Sequence, residues 1–155
     1  MKTAGRKLRS FSGVRMSKFS KDKGKRGERT VANLIFELTG WNAHRRVRND
    51  HGDTDLIGVP GWGIEVKDHA KATLGDVKGW WEQTCHQSKG LIPLLIYKRQ
   101  RGEWRAVYPL CVHVCTQQAD WWHDYNHTIE CSLEAWAAVA REICDDHLVQ
   151  PVVAE

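Results

Sequence analysis

The sequence predicts an α/β fold in which helices flank a central mixed β-sheet. Apolar residues follow helical spacing in two segments, one near residue 30 and one near residue 80, and short apolar runs bounded by turn residues lie between and after them. One of these runs contains Glu65 and Lys67, whose two-residue spacing places both side chains on one face of a strand. We therefore expect a sheet that carries a polar, reactive group of side chains.

Length and composition indicate one globular domain. The chain has 155 residues, 41% of them hydrophobic and 27% charged, which is enough to bury a core. It lacks an apolar run of about 20 residues, the length that a membrane-spanning helix needs, and it lacks a secretory signal. Its five cysteines show no disulfide-framework spacing. We expect a cytoplasmic protein without a membrane partner.

Positive charge is concentrated at the N-terminus. Residues 1–26 hold ten Lys or Arg and a single acid, Asp22, although the net charge of the whole chain is only +4. Residues 1–23 are therefore predicted to be a basic, disordered arm. Such an arm can neutralise phosphates without reading sequence, and a solubilising tail is the alternative.

Residues 24–110 are predicted to form the core, with elements in the order α, β, β, β, α, β, β. The first helix has apolar residues at helical spacing and stops at Gly40. The strands are predicted at residues 41–48, 54–59, 63–67, 91–97 and 104–110. Thr73 and Asp76 form a capping-box pattern before a helix at 74–88, which crosses over the sheet.

Residues 111–155 are predicted to be a C-terminal extension. Its apolar residues from Leu133 onwards follow helical spacing, with Ser132 near the start. The helix packs either on the core or against the partner subunit of a homodimer. The segment 117–128, which is rich in aromatic residues, is either a partner surface or a local packing cluster.

The spacing of acids and a lysine suggests chemistry on phosphodiesters. If Asp55 lies on the strand next to that of Glu65, the two carboxylates can meet around a hard cation, which prefers oxygen ligands. Lys67 then stands beside the metal and can steady the attacking water or the developing charge. The alternative is the solvated face of an edge strand.

Glu28 is the third candidate acid. It lies on the flank of the helix face that should pack on the sheet, three residues before Val31. It either complements the positive N-terminus of the helix or joins the metal site.

At this point the chain resembles the PD-(D/E)xK nuclease superfamily, and within it the small Holliday-junction resolvases of archaea and phages. The resemblance covers roughly residues 24–109. It is carried, in order, by Lys25/Arg26-Gly27-Glu28, Arg46 and Arg48, Gly52-x-x-Asp55, Glu65-x-Lys67 and Trp80-x-x-Gln83. Thr54 stands where the family has the Pro of its name, a change that should affect strand entry more than chemistry.

The resemblance implies a restriction-endonuclease-like core and a set of roles. Glu28, Asp55 and Glu65 would bind Mg²⁺, for which Mn²⁺ can substitute, and Lys67 would complete the catalytic set. Candidate DNA-binding residues are Lys25, Arg26, Arg46, Arg48, Lys71 and Gln83. Gln83 is otherwise a solvated helix residue, with Gln87 an equal candidate, and the neighbouring Trp80 and Trp81 either stack on unpaired bases or belong to the core.

The predicted function is that of a metal-dependent, structure-selective DNA endonuclease. A Holliday junction resolvase acting in recombination, repair or phage DNA processing is the first hypothesis, and a homodimer would match the two strands to be cut. A phage-encoded protein would then work in the host cytoplasm. The alternatives are a flap or replication-repair nuclease of the same superfamily and a non-catalytic DNA-binding accessory protein.

A zinc site is a further alternative use of the His and Cys residues. Cys111, His113 and Cys115 would share one face of a strand, and His123, His127 and Cys131 would share one face of a helix. Neither set has the paired spacing of a zinc ribbon, and a free Cys is often a small buried hydrophobe.

Overall fold

A computed structural model describes residues 18–47, 52–99, 102–114 and 120–146. The helices are α1 (Lys18–Thr39), α2 (Leu74–Gln87), the short α3 (Cys111–Val114) and α4 (Leu133–Asp146). The strands are β1 (His44–Arg45), β2 (Leu56–Ile57), β3 (Trp62–Lys67), β4 (Ile92–Lys98), β5 (Trp104–Pro109) and β6 (Thr128–Ser132). Two short 3₁₀ helices, Asp120–His123 and Tyr125–His127, precede β6.

The strands form one six-stranded sheet whose spatial order is the order of the chain, β1 to β6. Neighbouring strands are antiparallel except β3 and β4, which are parallel. The parallel pair requires a crossover, and α2 supplies it. The predicted α/β class with a mixed sheet flanked by helices is confirmed.

Helices cover both faces of the sheet. Successive side chains of β3 point to opposite faces, so each of them belongs to one of two cores. Ile64 and Val66 belong to the larger core cluster, which contains residues of α1 and α4. On the opposite face a smaller cluster joins α2 to β4 and β5; its buried members are Val77, Trp81, Leu95, Tyr97 and Val107. Glu65 pairs in register with Leu95 and so lies on the α2 face of the sheet.

Most predicted elements of the core have the expected type and place. The capping box at Thr73 is present, and α2 follows it directly. The first two strands are much shorter than predicted. Strand β1 ends at Arg45 and is the edge of the sheet among the described residues, and Val47 beyond its end is 86% exposed. The described part of α1 runs from Lys18, so residues 18–23 of the predicted arm are helical, and residues 1–17 lie outside the described part.

The C-terminal region differs more from its prediction. Cys111 and His113 lie on a helix and not on a strand, and Cys115 is outside the described residues. His127 ends a 3₁₀ helix and Cys131 lies on β6, so the predicted helical face does not exist. Antiparallel pairing with β5 satisfies the backbone of this segment and overrides helical spacing. Both geometries behind the zinc hypothesis are therefore wrong.

Helix α4 packs on the core, as one of the two alternatives predicted. Its residues Leu133, Trp136, Ala137 and Ala140 are buried in the cluster that also contains Val31 and Ile35 of α1. Trp122 is buried and Tyr125 packs against the α2 cluster, so the described part of segment 117–128 is a local packing cluster. None of the described helices is long and apolar enough to cross a membrane.

Candidate active site

The site begins with a buried acid on the central strand. Glu65 is 1% exposed, because β3 lies between two neighbouring strands and α2 covers this face. Burying a charge is costly unless polar groups compensate it. Two groups do so here: Glu65 Oε1 accepts hydrogen bonds from Lys67 Nζ at 2.9 Å and from Gln83 Nε2 at 3.1 Å.

Gln83 closes this arrangement into a triangle. Its amide oxygen accepts a hydrogen bond from Lys67 Nζ at 3.0 Å while its amide nitrogen donates to Glu65. An ammonium can only donate and a carboxylate can only accept, so the two neighbours determine which way the amide faces. The structure thus brings three of the predicted site residues into direct contact, and it places Gln83 there and not Gln87.

Asp55 is the second buried acid, at 3% exposure. Its backbone N–H donates to Ile64 O at 2.9 Å, and its Oδ2 accepts from the backbone N–H of Val66 at 2.8 Å. Leu56 pairs with Ile64 across the two strands, which puts Asp55 beside Glu65. The two carboxylates therefore come from adjacent strands, as the sequence predicted.

Glu28 comes to the site from α1 but has a partner of its own. Its carboxylate forms an ion pair with the guanidinium of Arg45 on β1. The preceding residue, Gly27, lets α1 approach the end of β3, since a Cβ atom at Gly27 would lie 2.8 Å from Asp68 Cβ. The structure thus places Glu28 near the strand end, bound to Arg45.

Arg45 was missed as a site residue. Alternation along the strand predicted at 41–48 puts Arg45 on the same face as Ala43 and Val47, which is the apolar face. In the structure β1 is only two residues long, and Arg45 extends towards α1. An arginine at a non-polar strand position is the one signal that could have singled it out.

Of the predicted DNA-binding residues, Gln83 is part of the triangle with Glu65 and Lys67. Lys25, Arg26 and Lys71 are exposed. Arg46 is half-buried, and its Nη1 lies 3.8 Å from Asp53 Oδ2. Arg48 lies outside the described residues.

The positions of the acids decide whether they can hold a divalent cation. Within the described ranges, no three His, Cys, Asp or Glu side chains converge closely enough to hold a metal. Asp55 and Glu65 nevertheless form a pair of buried carboxylates from neighbouring strands, and hard cations prefer such oxygen donors. The donor set of these two residues fits a hard divalent cation, while Glu28 is bound to Arg45.

A family model and a solved structure match this chain. The model of a family described as "Phage putative PDDEXK endonuclease" matches residues 19–134, which is most of the chain. Among solved structures, the chain is similar to Hjc of Archaeoglobus fulgidus, a Holliday junction resolvase from an archaeal hyperthermophile. The two share 19% sequence identity at a TM-score of 0.46, over 75% of this chain and 96% of that chain. No curated protein sequence gives a significant match.

Proposed function

Because the chain belongs to the phage PDDEXK endonuclease family, we propose that it is a metal-dependent, structure-selective DNA endonuclease that resolves Holliday junctions. One observation carries the proposal: a buried carboxylate, Glu65, is hydrogen-bonded to Lys67 and Gln83 and lies beside a second buried carboxylate, Asp55. The process served would be recombination, repair or the processing of phage DNA.

Asp55 and Glu65 are the proposed ligands of Mg²⁺, and Glu28 is the proposed third ligand once its carboxylate leaves Arg45. A bound divalent cation would polarise the phosphoryl oxygens and lower the pKa of water. The two carboxylates supply negative charge that the cation balances, which also offsets the cost of burying them.

Lys67 is the proposed electrostatic partner in catalysis. Its ammonium lies 2.9 Å from Glu65 and is only partly exposed, so its charge is poorly screened by water. It can stabilise negative charge that develops on the phosphate. Gln83 positions Lys67, because its amide oxygen accepts one of the ammonium hydrogens.

Surface basic residues would bind the DNA backbone around the site. Lys25, Arg26 and Lys71 are exposed and free of the catalytic triangle, and Arg46, Arg48 and the basic N-terminal arm would add further phosphate contacts. These contacts release counterions, so binding should weaken steeply with salt.

A homodimer is part of the proposal because a four-way junction offers two symmetry-related strands for cleavage. The described part of α4 buries its apolar stripe within its own subunit, so a dimer would form through another surface. Sedimentation of the protein with and without junction DNA measures the stoichiometry.

The test is cleavage of labelled four-way junction, flap, linear duplex and single-stranded DNA with Mg²⁺. Wild-type protein should place paired symmetrical nicks in the junction, and Glu65→Gln and Lys67→Ala should abolish them while still binding DNA. Glu82→Gln, the same exchange at an exposed site on α2, is the matched control and should cut normally. A preference for flaps would assign the site to a repair nuclease. If wild-type protein cuts no DNA with Mg²⁺ or Mn²⁺, the proposed nuclease activity is refuted.

A further inference from the structure

An aromatic stack lies next to the catalytic triangle. The rings of His69 and Trp80 are nearly parallel, with their centroids 4.9 Å apart and their planes at 25°. The ring centroids of Trp80 and Tyr97 are 6.2 Å apart, and these two rings are tilted against each other. The three rings form a column that runs from the buried face of the sheet to solvent, since Tyr97 is buried, Trp80 is half-buried and His69 is exposed.

Three connections fix the column beside the catalytic residues. Trp80 lies one helical turn before Gln83 on α2, which places the two side chains on neighbouring parts of one face. Tyr97 pairs in register with Lys67 across β3 and β4. His69 follows Lys67 by two residues at the point where β3 ends.

The outer ring of the column is polar at its edge, and its surroundings favour the neutral form. Contact with the protein shields part of His69 from water, and this burial lowers its pKa below the ordinary 6.5. The ammonium groups of Lys67 and Lys23 lower the pKa further, against smaller opposing effects of Asp68 and Asp76. A neutral imidazole is a flat aromatic surface on which another ring can stack.

Packing explains only the inner part of this column. Tyr97 belongs to the α2 cluster, Trp80 packs against it, and both gain from burial. His69 has an exposed position in the connection between β3 and α2, where no core requires an aromatic ring. Its ring stacks on Trp80 while the residue stays exposed, and the exposed Lys71 follows two residues later in the same connection.

We propose that the His69–Trp80 stack is a platform for one unpaired nucleobase of the DNA bound at the site. The inference rests on the proposed function and adds a substrate preference to it: DNA with an unstacked base next to the cleaved phosphate, at a branch point or frayed end. Every base has a π-face, so the platform would select unpaired DNA without selecting sequence.

The test uses DNA in which 2-aminopurine is either the first unpaired nucleotide of a flap or is fully paired in a duplex. Its fluorescence falls on stacking, so the readout does not require cleavage. The Glu65→Gln protein serves as background and keeps the DNA intact. Three substitutions are made one at a time in this background: His69→Ala, His69→Phe and His86→Ala. His86→Ala is the matched control, because it removes an exposed histidine from the last turn of α2.

The platform predicts quenching of the unpaired 2-aminopurine by the background protein, its loss in His69→Ala, and its retention in His69→Phe and His86→Ala. Affinity for the flap should fall about fivefold or more in His69→Ala, and affinity for the paired duplex by less than about twofold. Unchanged quenching in His69→Ala, or equal losses on both DNAs without rescue by Phe, would overturn the inference while DNA binding and cleavage by wild type stand. Failure of wild-type protein to bind any DNA would remove the proposed function itself.

Discussion

At the scale of single residues, Gly27 sets the distance between α1 and the strand that carries the site. A methyl group there would meet Asp68 Cβ at 2.8 Å, and neither atom can move without moving backbone. Gly27→Ala should destabilise the fold by about 1–3 kcal/mol through overpacking, less any gain in helix propensity. Urea denaturation measures this change.

Gly24, one turn earlier on the same helix, supplies the control. A Cβ atom there has nothing within 4 Å, so Gly24→Ala should leave stability unchanged or raise it by up to about 1 kcal/mol. Equal effects of the two substitutions would show that helix propensity alone is at work.

The neutral amide of Gln83 hydrogen-bonds both the Lys67 ammonium and the Glu65 carboxylate. Gln83→Glu would place a second carboxylate against the buried Glu65, and like charges raise the pKa of such a pair. The acidic limb of the cleavage rate should therefore move up by about one pH unit or more. Rate measurements from pH 5 to 9, roughly the range in which carboxylate and imidazole groups of active sites titrate, test this.

Glu82→Gln, an exposed exchange beside Gln83, is the control and should leave the pH profile in place. A Gln83→Glu protein with the wild-type profile would show that the triangle does not persist in the active enzyme.

At the scale of elements, α2 depends on its N-terminal capping box. Thr73 Oγ1 accepts a hydrogen bond from Asp76 N, and Asp76 Oδ2 accepts one from Thr73 N at 2.9 Å. Thr73→Ala should cost about 1 kcal/mol. Hydrogen exchange should speed up in the first turn of α2 more than in α4, and uniform acceleration in both helices would argue against a local role.

The same box makes the start of α2 sensitive to acid. Hydrogen bonds from the Thr73 hydroxyl and backbone N–H lower the pKa of Asp76 below its ordinary 3.8. The folded state thus favours the ionised form, so this stabilisation is complete above 3.8 and disappears as the pH falls through the lowered pKa. Asp76→Asn should flatten this part of the stability curve measured by thermal melts between pH 2 and 6, a range that spans ordinary carboxyl pKa values.

At the scale of the whole molecule, cation binding should stabilise the fold. A ligand that binds only the folded state adds about 2.7 kcal/mol at a hundred times its dissociation constant. Mg²⁺ should raise the melting temperature of the wild type, and a chelator should reverse the rise. Asp55→Asn and Glu65→Gln should abolish it. If Glu28→Gln also abolishes the rise in melting temperature, Glu28 is a metal ligand. If the rise is unchanged, Glu28 pairs with Arg45 and does not bind the metal.

The sequence predicted the centre of the fold better than its margins. The capping box, the apolar stripe of α1 and the alternation of β3 are local patterns, and they gave the helices, the central strand and the pairing of Glu65 with Lys67. Strand β6 was not predicted, because Thr-Ile-Glu-Cys-Ser is a short alternating segment and its pairing with β5 is determined only by the fold. The ion pair of Glu28 with Arg45 joins distant residues, and no local pattern specifies such a contact.

The order of the strands also bears on the order in which the site assembles during folding. Because each strand pairs with the next one along the chain, the sheet can grow by successive addition at its edge, a route that favours rapid folding. Asp55, Glu65, Lys67 and Gln83 all lie within one such stretch, from the residue before β2 to the end of α2. Glu28 joins them only when α1 docks, and α1 shares its core with α4 from the far end of the described chain. A nascent or partly folded chain would therefore hold most of the proposed catalytic residues in place before it could complete the site.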